Sequence, residues 1–207
     1  MTHLRIGVLV SGRGSNLEAI LRAVERGAIK GASVEVVVSN DPGARALKVA
    51  AKRGVSTVAF DGAGMSRERL DEEVEAALRA HGVLPGEGLV LLAGYTRILS
   101  KRLAELYEGR MMNIHPSLLP SFPGMRAQRQ ALDKGVKVSG CTVHFVAPEV
   151  DAGPIIAQRP VPVRESDDED SLSSRILRQE HKVYPYAVRL FAEGRLQLKK
   201  GRVVVKD

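Results

Sequence analysis

Leu4-Arg5-Ile6-Gly7-Val8-Leu9-Val10, then Ser11-Gly12-Arg13-Gly14-Ser15-Asn16, then Leu17 to Val24, is the stretch on which the fold turns. The first seven residues form an apolar run that reads as a buried strand. Leu17, Ile20, Leu21 and Val24 recur at helical spacing, so a helix follows. A glycine-rich turn between strand and helix exposes unpaired N–H groups at the positive end of the helix, which suits a dianion. Gly14, Ser15 and Asn16 occupy that turn, although a tight turn that needs glycine explains the motif as well. A dinucleotide fingerprint is disfavoured. Leu17 stands at its third glycine position, and the second strand ends Val38-Ser39-Asn40 without an acidic residue.

The same alternation continues outward. Val34 to Ser39 reads as a strand, Ala44 to Lys52 as a helix, Thr57 to Phe60 as a short strand, and Ser66 caps a long helix reaching His81. Pro85-Gly86-Glu87-Gly88 breaks the chain before the strand Leu89 to Ala93. Such alternation predicts an α/β fold: a single Rossmann-like domain whose mostly parallel central sheet has helices on both faces. A chain of 207 residues suits one such domain, so residues 1–207 are taken as a unit. In Val138 to Val146, Cys141, Val143 and Phe145 fall on one face and Thr142 and His144 on the other. Ser166 is expected to open the last long helix, with Pro185 kinking it near Lys182 to Tyr184.

Composition narrows the function classes. Hydrophobic residues at 44% and charged residues at 27% are ordinary for a globular protein, and no apolar run is long enough to span a bilayer. Cys141, the single cysteine, is expected to be a buried thiol and makes no intrachain disulfide, and the amino terminus lacks a secretory pattern. A cytoplasmic protein is expected. The net charge of +7 invites a nucleic-acid reading, but only Lys199-Lys200-Gly201-Arg202 forms a basic cluster and aromatics are 4%. A basic surface suits anionic small substrates equally well, and solvation of the surface accounts for most of the charge; no nucleic-acid or membrane partner is expected, and the chain is read as a monomer or homodimer.

Chemistry concentrates in Asn113-Ile114-His115-Pro116-Ser117-Leu118-Leu119-Pro120. Residues two apart on a strand share a face, so Asn113 and His115 point at one ligand, and Pro116, Pro120 and Pro123 restrict the exit loop. Asp151 is a downstream carboxylate candidate. Taken singly, each has an ordinary explanation: a packed histidine, a strand-end asparagine, a turn-forming aspartate. Glu180 falls inside the apolar stripe Leu172, Ile176, Leu177, Val183, Tyr184, where a carboxylate needs a partner.

Together with Gly140-Cys141-Thr142-Val143-His144-Phe145-Val146, Val150-Asp151-Ala152-Gly153-Pro154 and Ala93-Gly94-Tyr95-Thr96-Arg97-Ile98-Leu99, these motifs resemble the folate-dependent formyltransferases. The Ser-Gly-x-Gly-Ser-Asn start resembles the branch that acts on glycinamide ribonucleotide, and the likeness runs from about Arg5 to about Gly194. It implies formyl transfer from 10-formyltetrahydrofolate, without a metal, in purine synthesis. It implies Asn113, His115 and Asp151 as the catalytic set, and Gly14, Ser15, Asn16 and Glu180 as the nucleotide contacts. Folate contacts are implied at Arg67, Thr96, Arg97, Ile98, Leu99, Asn113, Ala147, Pro148, Glu149, Val150 and Asp151, which leaves nucleotide binding to the amino-terminal half and folate binding and catalysis to the carboxyl-terminal half. Pro148, where many relatives are acidic, and Met125-Arg126-Ala127-Gln128, which lacks the histidine some relatives carry, depart from the pattern. A formyltetrahydrofolate hydrolase, which lets water attack instead of an amine, and a noncatalytic nucleotide-binding module are the alternatives.

Overall fold

A computed structural model describes residues 3–206. Among the described residues, nine strands and six helices follow in order: β1 (Leu4–Val10), α1 (Ser15–Glu25), β2 (Ala32–Ser39), α2 (Arg45–Ala51), β3 (Ser56–Ala59), α3 (Arg67–Ala80), β4 (Leu89–Leu92), α4 (Lys101–Leu106), β5 (Met111–His115), α5 (Ala127–Asp133), β6 (Val138–Phe145), β7 (Ile155–Pro162), α6 (Glu169–Ala192), β8 (Leu196–Lys199) and β9 (Arg202–Val205). The first seven strands form one sheet in the order β3-β2-β1-β4-β5-β6-β7. Pairing is parallel from β3 through β5, whereas β5–β6 and β6–β7 are antiparallel. The expected α/β domain with a mostly parallel sheet is therefore present.

Strands buried on both faces need two apolar layers, and the core divides that way. Val8, Val10, Leu89 and Leu91 pack with Leu17 and Ile20 of α1, Ala46 of α2 and Ile176, Val183 and Val188 of α6. Leu9, Val36, Val90 and Met111 face the other way, against Val74 and Leu78 of α3 and Leu103 of α4. Cys141 and Val143 lie in the first layer, as their strand alternation requires, and burial pushes the Cys141 thiol up to about 12.

One boundary differs from expectation. Helix α6 starts at Glu169, with Asp168 and not Ser166 as its cap: the Asp168 side chain accepts from the Ser171 N–H at 2.8 Å, and Ser171 Oγ accepts from the Asp168 N–H. Asp167 is occupied outside the helix, accepting from the Arg164 N–H and pairing with Arg175, so the chain turns before it coils. Helical pairing continues past Pro185 to Ala192, although that proline supplies no N–H. Among the described residues no helix is long and apolar enough to cross a membrane.

Strand order reverses beside β1, which pairs with β2 on one side and β4 on the other. In an open α/β sheet the loops leaving the carboxyl ends of strands diverge at that reversal and leave a crevice between them. The loops after β1 and β4, and the end of β5, meet there.

Candidate active site

Ser11 joins the loops. Its N–H donates to the Gly94 carbonyl at 3.1 Å, its hydroxyl accepts from the Thr96 N–H at 2.9 Å, and it donates to Asn40 Oδ1 at 2.5 Å. Asn40, where a dinucleotide site would have its acidic residue, is thus spent on fixing the crevice. Gly14 follows with φ of 80°, and a side chain there would put a Cβ 2.7 Å from Ala46 Cβ, so both its handedness and its space require glycine. Helix α1 begins with no side-chain cap, and the Ser15 and Asn16 N–H groups have no acceptor among the described residues.

These N–H groups border a cavity of about 510 Å³ between α1 and α6, which Glu180 also lines. Asn16 Nδ2 donates to Glu180 Oε2 at 2.7 Å, the partner that a carboxylate in this apolar stripe requires. Burial raises the Glu180 carboxyl above the ordinary glutamate value, and the Asn16 hydrogen bond opposes that rise. Asn16 Oδ1 is buried without a partner and remains free to accept from a ligand.

A second cavity of about 380 Å³ adjoins the first, sharing Gly94, Ile114 and Pro116. Thr96 to Leu99 form one wall and Ala147 to Asp151 another, with Asn113 and His115 at its base, so the residues assigned to folate line one cavity apart from Arg67. Arg67 lies exposed at the start of α3 outside that lining. Arg97 reaches towards it, donating to the Met65 carbonyl at 3.2 Å. The departure segment touches both cavities: Met125 and Arg126 line this one, and Gln128 lines the other.

Asn113, His115 and Asp151 converge. Asp151 Oδ2 lies 3.2 Å from His115 Nδ1 and accepts from the Gly124 N–H at 2.8 Å, while Oδ1 lies 3.4 Å from Asn113 Nδ2. Burial works to raise the Asp151 carboxyl, but the neighbouring His144 ring, the Gly124 N–H and the charge of His115 outweigh it and hold the carboxyl below the ordinary aspartate value. The His115 ring is almost wholly buried, and its Nε2 donates to the Phe122 carbonyl at 2.8 Å. That bond fixes the ring so that Nδ1 is left facing the carboxylate.

Several supports carry weak signals or none in the sequence. Phe122 has a left-handed φ of 57° that aims its carbonyl at His115. The proline loop is held by more than proline: Thr142 Oγ1 donates to the Ser117 carbonyl at 2.7 Å and accepts from the Leu119 N–H at 3.0 Å, while Gln158 Nε2 donates to the Leu119 carbonyl. His144, on the Thr142 face as the strand pattern requires, lies 3.3 Å from Asn113 Nδ2 and 3.6 Å from Asp151 Oδ1. Asp151 itself sits at φ of 55°, a conformation aspartate tolerates better than most residues. Gly153, two residues on, has no room for a side chain, since a Cβ there would lie 1.8 Å from the Phe145 carbonyl oxygen. Gly153→Ala is accordingly expected to destabilise the protein by about 3 kcal/mol by displacing the loop. A denaturant midpoint equal to wild type would show that the loop yields freely.

An amide and an imidazole beside a buried carboxylate, in the more apolar cavity and adjoining in sequence the Ile114 and Pro116 that border an anion-suited one, form a site equipped for acyl transfer. The family model described as formyl transferase matches residues 4–188. Phosphoribosylglycinamide formyltransferase of Escherichia coli (strain K12) is 43% identical over 200 residues, covering 94% of this chain and 90% of that protein. The crystal structure of glycinamide ribonucleotide transformylase 1 from Symbiobacterium toebii superposes with a TM-score of 0.93 at 48% identity, covering 100% of this chain and 96% of that one. A formyltetrahydrofolate deformylase from Pseudomonas syringae pv. tomato is more distant, at 28% identity and a TM-score of 0.88, with 67% of its chain covered. The chain belongs to the formyl transferase family.

Proposed function

We propose that the protein transfers the formyl group of 10-formyltetrahydrofolate to the amine of glycinamide ribonucleotide, a cytoplasmic step of purine synthesis. The observation that carries this is the contact of the two cavities at Gly94, Ile114 and Pro116, the last two adjoining His115 in the chain, which gives each reactant its own compartment and sets the Asn113, His115 and Asp151 cluster of the second cavity beside the shared boundary. The phosphate occupies the α1 N–H groups of Gly14, Ser15 and Asn16, and Glu180 and the free Asn16 Oδ1 take the ribose hydroxyls. The pterin enters between Thr96 to Leu99 and Ala147 to Asp151, where backbone groups read its polar edge. Nucleotide binding thus falls mainly to the amino-terminal half, with Glu180 reaching in from α6.

Attack of the amine on the formyl carbon forms a C–N bond and an oxyanion, which Asn113 Nδ2 and His115 stabilise by donation. The proton lost by the amine goes to Asp151, directly or through water. His115 Nδ1–H supplies the proton that the departing folate nitrogen takes up as its bond to the formyl carbon breaks, because the Nε2 proton is committed to Phe122. Passage of a proton from Asp151 to His115 across their 3.2 Å contact then restores the starting state.

The test is an absorbance assay with the formylfolate donor, with and without glycinamide ribonucleotide. Donor consumption that requires the nucleotide supports the transferase. Equal consumption without it identifies a hydrolase, and binding without turnover a noncatalytic module. Asn16→Ala is expected to raise the KM for the nucleotide about tenfold while the KM for folate stays near wild type, since the substitution strips Glu180 of its hydrogen bond and removes the free acceptor. A selective rise in the folate KM would contradict this division of the site.

A further inference from the structure

The cavity assigned to the nucleotide has an imbalance of charge. Asp170 and Glu180 both line it, yet its substrate brings a phosphate dianion, and the single cation among its lining residues is Arg13. Two carboxylates and a phosphate repel one another at short range, and uncapped N–H groups carry only about half a positive charge. The main chain on both sides of Arg13 is pinned: Ser11 is tied to Gly94, the Gly12 carbonyl accepts from the Ala46 N–H at 3.0 Å, and the Gly14 carbonyl accepts from the Glu18 N–H at 2.9 Å. Its side chain is exposed and, among the described residues, makes no hydrogen bond or ion pair, whereas Arg22 and Arg53 pair with Glu18 and Arg175 with Asp167. A fixed backbone therefore presents an uncommitted guanidinium at the rim of an anion site.

We infer that Arg13 is the specificity-determining cation of this site, closing over the phosphate of the nucleotide through its planar fork and so selecting the phosphorylated substrate over the bare nucleoside. The inference rests on the functional reading above and adds to it a residue and a selectivity. A guanidinium matches two phosphate oxygens at once, and a lysine ammonium at the same place supplies charge without the fork. Rim placement in water makes the attraction sensitive to ionic strength, in contrast to the N–H groups at the helix start.

Steady-state assays with the formylfolate donor, comparing glycinamide ribonucleotide with its phosphate-free nucleoside, test this on wild type, Arg13→Ala and Arg13→Lys. Arg13→Ala raises the KM for the nucleotide about tenfold or more at low salt, with a smaller change in kcat, and leaves the KM for the nucleoside as in wild type. Arg13→Lys falls between the two. Raising the ionic strength weakens nucleotide binding by wild type and has a shallower effect on Arg13→Ala. A nucleotide KM within twofold of wild type for Arg13→Ala overturns the inference, as does an equal rise for nucleotide and nucleoside, which would mean a distorted loop. If wild type itself formylates neither amine, the functional reading fails first, and that result is separable from a failure at Arg13.

Discussion

His115→Ala is expected to lower kcat by about 10²-fold or more while the KM for the nucleotide stays near wild type. In the proposed mechanism the imidazole delivers a proton from Nδ1 and offers a donor where the oxyanion develops, with Nε2 held by Phe122. Both are needed only as the formyl carbon becomes tetrahedral, so their removal acts on the transition state and spares ground-state binding. Nucleotide affinity is spared for a second reason: His115 lines the cavity proposed for folate and is absent from the lining of the other. Truncation also leaves the Phe122 carbonyl with only the longer Ser117 Oγ contact at 3.3 Å and takes from Asp151 its His115 neighbour, which costs about 1–3 kcal/mol of stability. Circular dichroism and a denaturant midpoint separate that loss from the kinetic one. A kcat equal to wild type would remove His115 from the chemistry.

Much of this architecture was legible because its signals are local. Glycine before the first turn of α1, β-branched strands and a serine cap on α3 each act within a few residues, and the elements from β1 to β4 lie within about two residues of their expected places. Asn113 and His115 were legible as a pair because strand geometry puts them on one face, and Glu180 because a carboxylate among Ile176, Val183 and Tyr184 demands a partner. Which partner was a different matter. Asn16 is 164 positions away along the chain and only the packing of α1 on α6 supplies it. The antiparallel β7 carried no clear alternation, since Arg159 and Pro160 lie exposed within it and edge position, not burial, defines it. Start of α6 was misplaced for an electrostatic reason: Ser166, Asp167 and Asp168 are all competent caps, and the Arg175 pair that takes Asp167 out of contention is a tertiary contact. Phe122, which orients His115, acts through its carbonyl, and a carbonyl leaves no mark in the residue type.

Asp151→Asn is the sharper test of the proton path, with an expected fall in kcat of about 10³-fold. An amide is close to isosteric, tolerates the left-handed conformation seen at this position, and still accepts from the Gly124 N–H, so the loop is expected to hold its shape. Its NH₂ group, however, cannot take the amine proton. With its oxygen kept at the Gly124 N–H and His115 Nδ1, the neutral amide also brings no charge to hold the transferable proton on the imidazole. The substitution therefore removes the base and disarms the acid together, and adding His115→Ala to it is expected to cost much less than the product of the two single effects. Stability gives an independent reading. The Asp151 carboxyl is held below its ordinary 3.8 in the folded protein, so its ionised form contributes stability that is present above that value and is lost as the pH falls through the lower, folded-state value. Asp151→Asn should show a lower Tm than wild type near neutral pH, with the gap narrowing on acidification below the ordinary aspartate range. A wild-type kcat in this variant would break the link between carboxylate and imidazole on which the proton path depends, whereas a depressed kcat with a pH-independent Tm gap would confine the role of Asp151 to chemistry.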